Sequence, residues 1–320
     1  MKKDEIGVAN HLWRGVQMGQ VLRRQVTLDS PFDLDVTVGS WVFPDIQPTP
    51  EWKVPGQFGR CLPVEGEQVP VRVAQLRKGA RPQLAIEWPA TWSGDEDALV
   101  QRVGWLLGWD VETKPVLRVL RADPTLARIA EPLTGLRPFT QPTFLEALVK
   151  AVLQQQVTYR FACQMSRELV LRHGNHVQLG SALLHGFPPA ERLAALSDAD
   201  LRDCKVGYKA PYVREIAQRI TAGTLDLDAV AQKETPLALR ELDELPGVGR
   251  WTAELALLSG LRRLEVFPQD DLGIRNIIST LFLHGKPAKR KEVEAVAERW
   301  GTDAPLVLYY LMCAQVLHLL

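Results

Sequence analysis

The sequence predicts an α+β protein: a small β-rich N-terminal domain, then an all-helical region. Three observations point there. Between residues 25 and 93 apolar and polar positions alternate in short runs interrupted by Pro and Gly. Near residue 95 the apolar spacing lengthens from two to between three and four. From there to residue 320 the chain is a succession of amphipathic helical pieces.

Residues 1–24 read as a helical or loose lead-in, 25–135 as the α+β domain and 136–320 as the helical region, within ordinary domain sizes. RQVTLDSPFDLDVTVGSWVF alternates in places, VPVRVAQLR has period two, and PQLAIEW is a short strand. PTPEWKVPGQFG and KGARP read as connections. Ser93 or Asp95 caps a helix with Leu99, Val103, Leu106 and Leu107 on one face. Residues 142–174 form one long helix or two joined ones. PPAERLAAL, DADLRDC, APYVREIAQRITAG and TPLALRELDEL are shorter helices, and the last begin near Trp251, Asp271, Lys289 and Pro305.

Composition narrows the class. Apolar residues make up 46% and charged residues 24%, enough for a core without staples. The four cysteines share no metal-ligand spacing, so free thiols in a reducing cytoplasm are expected, with neither zinc nor an iron–sulfur cluster. The start, MKKDEIGVANHLW, lacks the apolar core of a signal peptide. The C-terminal PLVLYYLMCAQVLHLL is shorter than the ~20 residues of a membrane span and reads as a buried helix. The formal net charge is zero. A neutral protein can still carry a local basic face, which is what a phosphate backbone feels.

The most informative stretch is ELDELPGVGRWTAELALLSG, residues 241–260. A leucine-faced helix is broken at Leu245-Pro246-Gly247-Val248-Gly249, and another starts at Arg250-Trp251-Thr252. Two helices joined by a Gly-x-Gly turn make a helix–hairpin–helix. Unpaired N–H groups at the mouth of the second helix lie at the positive end of its dipole, and glycine lets a phosphate approach them. Such a turn can hold a DNA phosphate without reading sequence. Outward carbonyls of Asp243, Leu245 and Val248 can hold a monovalent cation, Na+ or K+. An ordinary helix–turn–helix corner is the alternative.

The hairpin, followed by FPQDDLGIRN at 267–276, resembles the helix–hairpin–helix DNA glycosylase superfamily. It is most similar to the alkylation-repair branch, the 3-methyladenine DNA glycosylase II type, with its PGxGRWTA hairpin and acidic pair. KVGYKAPYVREIA at 205–217 and LVKAVLQQQVTYRFA at 148–162 resemble helices of the same family. SPFDLDVTVGSW at 30–41 resembles the entry to that branch's β-rich, TBP-like N-terminal domain. The resemblance implies a monofunctional glycosylase that flips alkylated bases out of damaged double-stranded DNA and excises them, a cytoplasmic, nucleoid-associated monomer without a membrane segment.

The resemblance also implies roles. Asp271, three residues before Ile274, falls at the catalytic aspartate, where a carboxylate stabilises an oxocarbenium-like transition state and orients water. Asp270 is left as the helix cap or as a charge tuning its neighbour. Trp251 stands where strand-cleaving relatives carry a Schiff-base lysine. Trp251 and Trp41 are the candidate aromatic faces of the base pocket, with Ser40, Leu255 and Met312 around them. Leu255 and Met312 fall where relatives have Tyr and Trp, so a less aromatic pocket is expected. Gly247, Val248, Gly249, Arg250 and Thr252 would hold DNA at the hairpin. Gln156, or its neighbour Gln155, would fill the gap left by the flipped base; the same run also reads as a solvated helix face. Lys209 and Arg275 are candidate phosphate contacts or solvated surface. KPAKRK, 286–291, reads as a solvated helix start rather than a DNA contact. Three other readings stay open: a glycosylase for an oxidised or deaminated base, a non-catalytic DNA-binding scaffold, and a helical protein-interaction domain with no DNA affinity.

Overall fold

The structure, a computed structural model, describes residues 21–320 and the backbone of a strand pair, Leu12–Trp13 with Val16–Gln17. Most of the expected lead-in, 1–24, lies outside the described residues. An edge strand already begins at Val21.

Five antiparallel strands form one sheet, in the order Val21–Thr27, Gln83–Pro89, Glu67–Arg77, Gln57–Val64, Trp52–Val54. Side chains alternate between its faces. Phe58 and Leu62 point to the face covered by the helices Leu34–Gly39 and Glu96–Leu107, with Leu34, Val38, Leu99, Val103 and Leu107 in that core. Asp95, of the two candidates, caps the second of these helices by accepting from the Asp97 N–H. Cys61 points the other way.

Two parts of the sequence reading are corrected here. DLDVTVG, read as strand, is helical. Asp33 accepts from the N–H groups of Asp35 and Val36, and the cap plus burial of Leu34, Thr37 and Val38 on one face override the β-branched residues. The region after residue 110, read as helix throughout, contains a hairpin, His176–Leu179 with Ala182–His185. It buries Leu179, Ala182 and Leu184 against Cys61 and Val21 on the second sheet face. A side chain at Gly59 would meet Leu184 at 2.6 Å, so glycine there lets the hairpin seat.

Residues 142–174 are two helices, Phe144–Leu153 and Tyr159–His173, separated by the turn that carries Gln154–Thr158. The first packs against Arg250–Leu261, with Gly260 allowing close approach to Ala147 and Phe144. A second helical core joins Val116, Leu120, Ile129 and Leu133 to Ile274, Val307 and Tyr310. Segment 114–135, placed by sequence in the N-terminal domain, thus packs with the C-terminal helices. The apolar C-terminal segment is the buried helix Ala304–Val316, and no described helix is long and apolar enough to cross a membrane.

The sheet is tied to the helices by a buried charge network. Arg60, on the strand Gln57–Val64, is 1% exposed. Its guanidinium donates to Glu51 at 2.6 Å and to both oxygens of Glu146, at 2.6 and 3.2 Å. The Lys150 ammonium, one turn beyond Glu146, reaches Glu146 at 2.7 Å, Glu51 at 3.3 Å and the Gln141 amide oxygen at 2.9 Å. Two cations and two carboxylates balance. Burial alone would raise the Glu51 carboxyl, but Lys150 and Arg60 outweigh it and lower it from 4.5 to about 2.

Removing one member of such a network leaves the others uncompensated. Arg60→Leu should destabilise the fold by about 3 kcal/mol or more, read from urea unfolding monitored by circular dichroism. Because the Glu51 value is lower in the folded state, its contribution is present above about pH 4.5 and lost as the pH falls toward about 2. The loss of stability across that window should be shallower in Glu51→Gln than in the parent protein.

Candidate active site

Between the sheet domain and the two helical cores lies a cleft of about 1100 Å³. The hairpin helices, Thr235–Asp243 and Arg250–Leu261, end and begin at its mouth. Gly247 sits at φ +76°, and a Cβ there would fall inside the Tyr212 ring, so no other residue fits. Gly249 is different. It is extended, with nothing within 4 Å of an added Cβ, so its lack of a side chain leaves open space in front of the helix mouth. Val248 is buried, and its N–H donates to the Leu245 carbonyl at 3.0 Å. The first N–H groups of the second helix have no intrahelical acceptor.

Asp271 is the N-cap of the helix Leu272–Phe282. Its Oδ1 accepts from the Ile274 N–H at 3.2 Å. Its Oδ2 accepts from the Trp251 indole N–H at 3.1 Å. Among the described residues no basic side chain forms an ion pair with it. The expected division of labour is therefore corrected: Asp271 supplies the cap as well as the carboxylate facing the cleft. Asp270 is exposed and pairs instead with Arg290 at 3.1 Å.

The cleft walls carry more aromatic surface than the sequence reading allowed. Trp41, Tyr159, Tyr309, Phe139, Trp251 and Phe267 all line it, with Leu255 and Met312. Trp41 donates its indole N–H to the Tyr309 hydroxyl at 2.7 Å, and the Tyr159 hydroxyl donates to the Trp41 carbonyl at 2.7 Å. Tyr159 meets the Trp41 ring edge-on at 5.8 Å, and Tyr309 lies 5.6 Å from it. Tyr309 and Tyr159 were missed because each lies in a helical run that sequence alone reads as core or surface. Ser40 is buried away from the cleft, its hydroxyl donating to the Val36 carbonyl at 2.7 Å.

The three consecutive glutamines have separate placements. Gln155 donates its amide to the Gly247 carbonyl at 2.7 Å and the Thr252 hydroxyl at 2.8 Å, bracing the hairpin turn from inside. Thr252 is itself 3% exposed, so its hydroxyl is engaged with Gln155 rather than facing outward. Gln156 is exposed, at φ +54°, and its amide oxygen accepts from the Tyr208 hydroxyl at 3.3 Å. Gln154 also lines the cleft.

Two candidate phosphate contacts are corrected. Lys209 is 1% exposed, and its ammonium donates to the Leu153 carbonyl at 2.7 Å at the end of the helix Phe144–Leu153, with burial pulling it below the ordinary lysine value. Arg275 donates to the Ala288 carbonyl at 2.7 Å and lies outside the cleft lining. Arg250 does line the cleft and is held by Glu254 at 2.6 Å. Cys61, Cys163, Cys204 and Cys313 are each buried and unpaired, and burial raises every one of these thiols.

Known proteins are similar to this chain in sequence and fold. A DNA-3-methyladenine glycosylase of Bacillus subtilis is 28% identical over 221 residues, 69% of this chain and 72% of its own. The solved structure of a 3-methyladenine DNA-glycosylase from Archaeoglobus fulgidus superposes with a TM-score of 0.81 at 25% identity, over 91% of this chain and 98% of that one. A Clostridium acetobutylicum 8-oxoguanine glycosylase/lyase in complex with double-stranded DNA shares the fold alone, at TM-score 0.72 and 15% identity over 100% and 99% of the two chains. Residues 149–302 match the model of the HhH-GPD superfamily of base excision DNA repair proteins. The hairpin and the capping aspartate both fall in this segment, and the sheet domain and the C-terminal helix complete the cleft beside them: the chain carries an HhH-GPD superfamily base excision DNA repair domain.

Proposed function

We propose that this protein is a monofunctional DNA glycosylase that flips alkylated bases of the 3-methyladenine type out of damaged duplex DNA and excises them. The observation that carries the reading is the Asp271 carboxylate. It is fixed by one helix N–H and one indole N–H in the wall of an aromatic cleft, beside a hairpin mouth left bare by Gly249.

The residues divide the work as follows. The open N–H groups at Gly249–Trp251 hold a backbone phosphate. Gln156, outward on the neighbouring turn, enters the gap in the stack, while Gln155 keeps that turn against the hairpin. The flipped base enters between Trp251 and the Trp41–Tyr159–Tyr309 wall, against Leu255 and Met312. Alkylated purines are often cationic, and each aromatic face holds such a base by about 0.5–2 kcal/mol. As the glycosidic bond breaks, positive charge gathers on the sugar, and the Asp271 oxygen on the cleft side stabilises it and orients the attacking water.

Lyase chemistry requires an amine nucleophile. Trp251 offers none, and Lys150, the one lysine among the described residues that line the cleft, is held by Glu146, Glu51 and Gln141. The hairpin carbonyls of Asp243, Leu245 and Val248 would be the ones to hold a monovalent cation. The Leu245 carbonyl spends one lone pair on the Val248 N–H and keeps another. When bound, the cation would add a positive charge beside the phosphate.

Two measurements test this reading. Asn retains the capping oxygen, so Asp271→Asn should fold normally, bind a duplex with an abasic-site analogue like the parent, and lose at least ~100-fold in single-turnover release of 3-methyladenine. Trp251→Phe, keeping the ring and losing the N–H, should lose about tenfold. An Asp271→Asn variant with most of its activity would refute the assignment. The two hairpin glycines should separate stability from grip. Gly247→Ala should cost about 2 kcal/mol or more in thermal unfolding. Gly249→Ala should stay within about 0.5 kcal/mol of the parent yet bind duplex DNA more weakly in fluorescence anisotropy.

A further inference from the structure

The basic run KPAKRK, 286–291, reads by sequence as solvated surface, yet the fold fastens it beside the hairpin mouth. Arg290 is the anchor. Its guanidinium contacts Asp270 at 3.1 Å and Glu294 at 2.9 Å, and lies 3.8 Å from Glu254. Glu254 has a side chain only 3% exposed, and the same oxygen accepts from Arg250, the first helical residue after Gly249, at 2.6 Å. One buried carboxylate therefore stands between the hairpin's basic residue and the basic run. A second tie comes from the other side, where Arg275, on the helix capped by Asp271, donates to the Ala288 carbonyl at 2.7 Å.

These ties consume the nearby carboxylates. Asp270, Glu254 and Glu294 are taken by arginines, and Glu292 accepts the Lys289 backbone N–H at 2.8 Å. Lys286, Lys289 and Lys291 remain. All three are exposed and form no ion pair among the described residues. The segment is held by two arginines through polar contacts, and its lysines are left as uncompensated cations.

We propose that Lys286, Lys289 and Lys291 form a second DNA-backbone contact surface that grips phosphates of the duplex flanking the site served by the hairpin. The proposal rests on the DNA-binding part of the function above and not on excision. The matching partner is a regular line of phosphates, because three unpaired ammonium groups on one short segment offer point charges without base-reading geometry. Ammonium–phosphate pairs of this kind release condensed counterions, so each one steepens the salt dependence of binding.

The test measures affinity for a duplex with a central abasic-site analogue at several salt concentrations. The parent is compared with the triple variant Lys286→Gln, Lys289→Gln, Lys291→Gln and with the charge reversal Lys289→Glu, Lys291→Glu. Each ammonium–phosphate pair removed should flatten the plot of log affinity against log salt by about 0.9, so the slope of the triple variant should fall by about 2 to 3. The charge reversal should weaken binding by more than neutralising the same two lysines does. Single-turnover release of 3-methyladenine at saturating protein should match the parent. An unchanged slope in both variants, with unchanged thermal unfolding, would overturn the proposal. A flattened slope in the variants, together with a parent protein that releases no base, would keep this surface and sink the glycosylase reading instead.

Discussion

The width of the cleft depends on a cluster of four charges, three of them fully buried and the fourth, Lys150, mostly so. Arg60 comes from the sheet, Glu146 and Lys150 from the helix that packs on the hairpin's second helix, and Glu51 from the segment before the edge strand Trp52–Val54. Buried ion pairs are a poor source of net stability, because desolvation offsets most of the attraction. They do demand geometry: a displaced partner would leave a charge without a counterion in the protein interior. That demand fixes the sheet, and Trp41 with it, at a set distance from the helices carrying Trp251 and Asp271. The opposite sheet face is pinned independently by the hairpin 176–185, where Leu184 lies over Gly59. With both faces held, the aromatic walls face each other across a space set by the scaffold.

At the mouth of that space one side chain serves two ends. Asp271 gives one oxygen to its helix and the other to an indole, so cap and functional group cannot move apart. The helix orients the carboxylate, and the carboxylate starts the helix. Trp251 joins this arrangement from the hairpin, which links the position of the acid to the element proposed to face the DNA backbone.

Much of this was legible in the chain itself. The period change near residue 95, the Gly-x-Gly break at 247–249 and the acidic pair at 270–271 are local signals, and local signals carry element type and hairpin position well. What failed was decided by contacts distant in sequence. DLDVTVG has β-branched residues, yet Asp33 and the sheet core make it a helix. Lys209 looks like a surface cation, but its ammonium is spent on a helix carbonyl 56 positions earlier. Tyr309 enters the cleft wall from the far end of the chain through its bond to Trp41. Of the two acids, the resemblance singled out Asp271 for chemistry and left the cap to Asp270; the sequence could not show that Asp271 takes the cap as well, because either neighbour could have started the helix.

The brace made by Gln155 bears on how the molecule would examine DNA. Because its amide holds the Gly247 carbonyl and the Thr252 hydroxyl, the turn bearing Gln156 is tied directly to the hairpin. If the protein works as proposed, taking hold of a strand would also press Gln156 against the stack, so every docking would be a mechanical trial of the local base pair. Weakened pairs would yield to the intrusion and sound ones would resist it, so the search for damage would be set by the pliability of the helix before any pocket had seen a base.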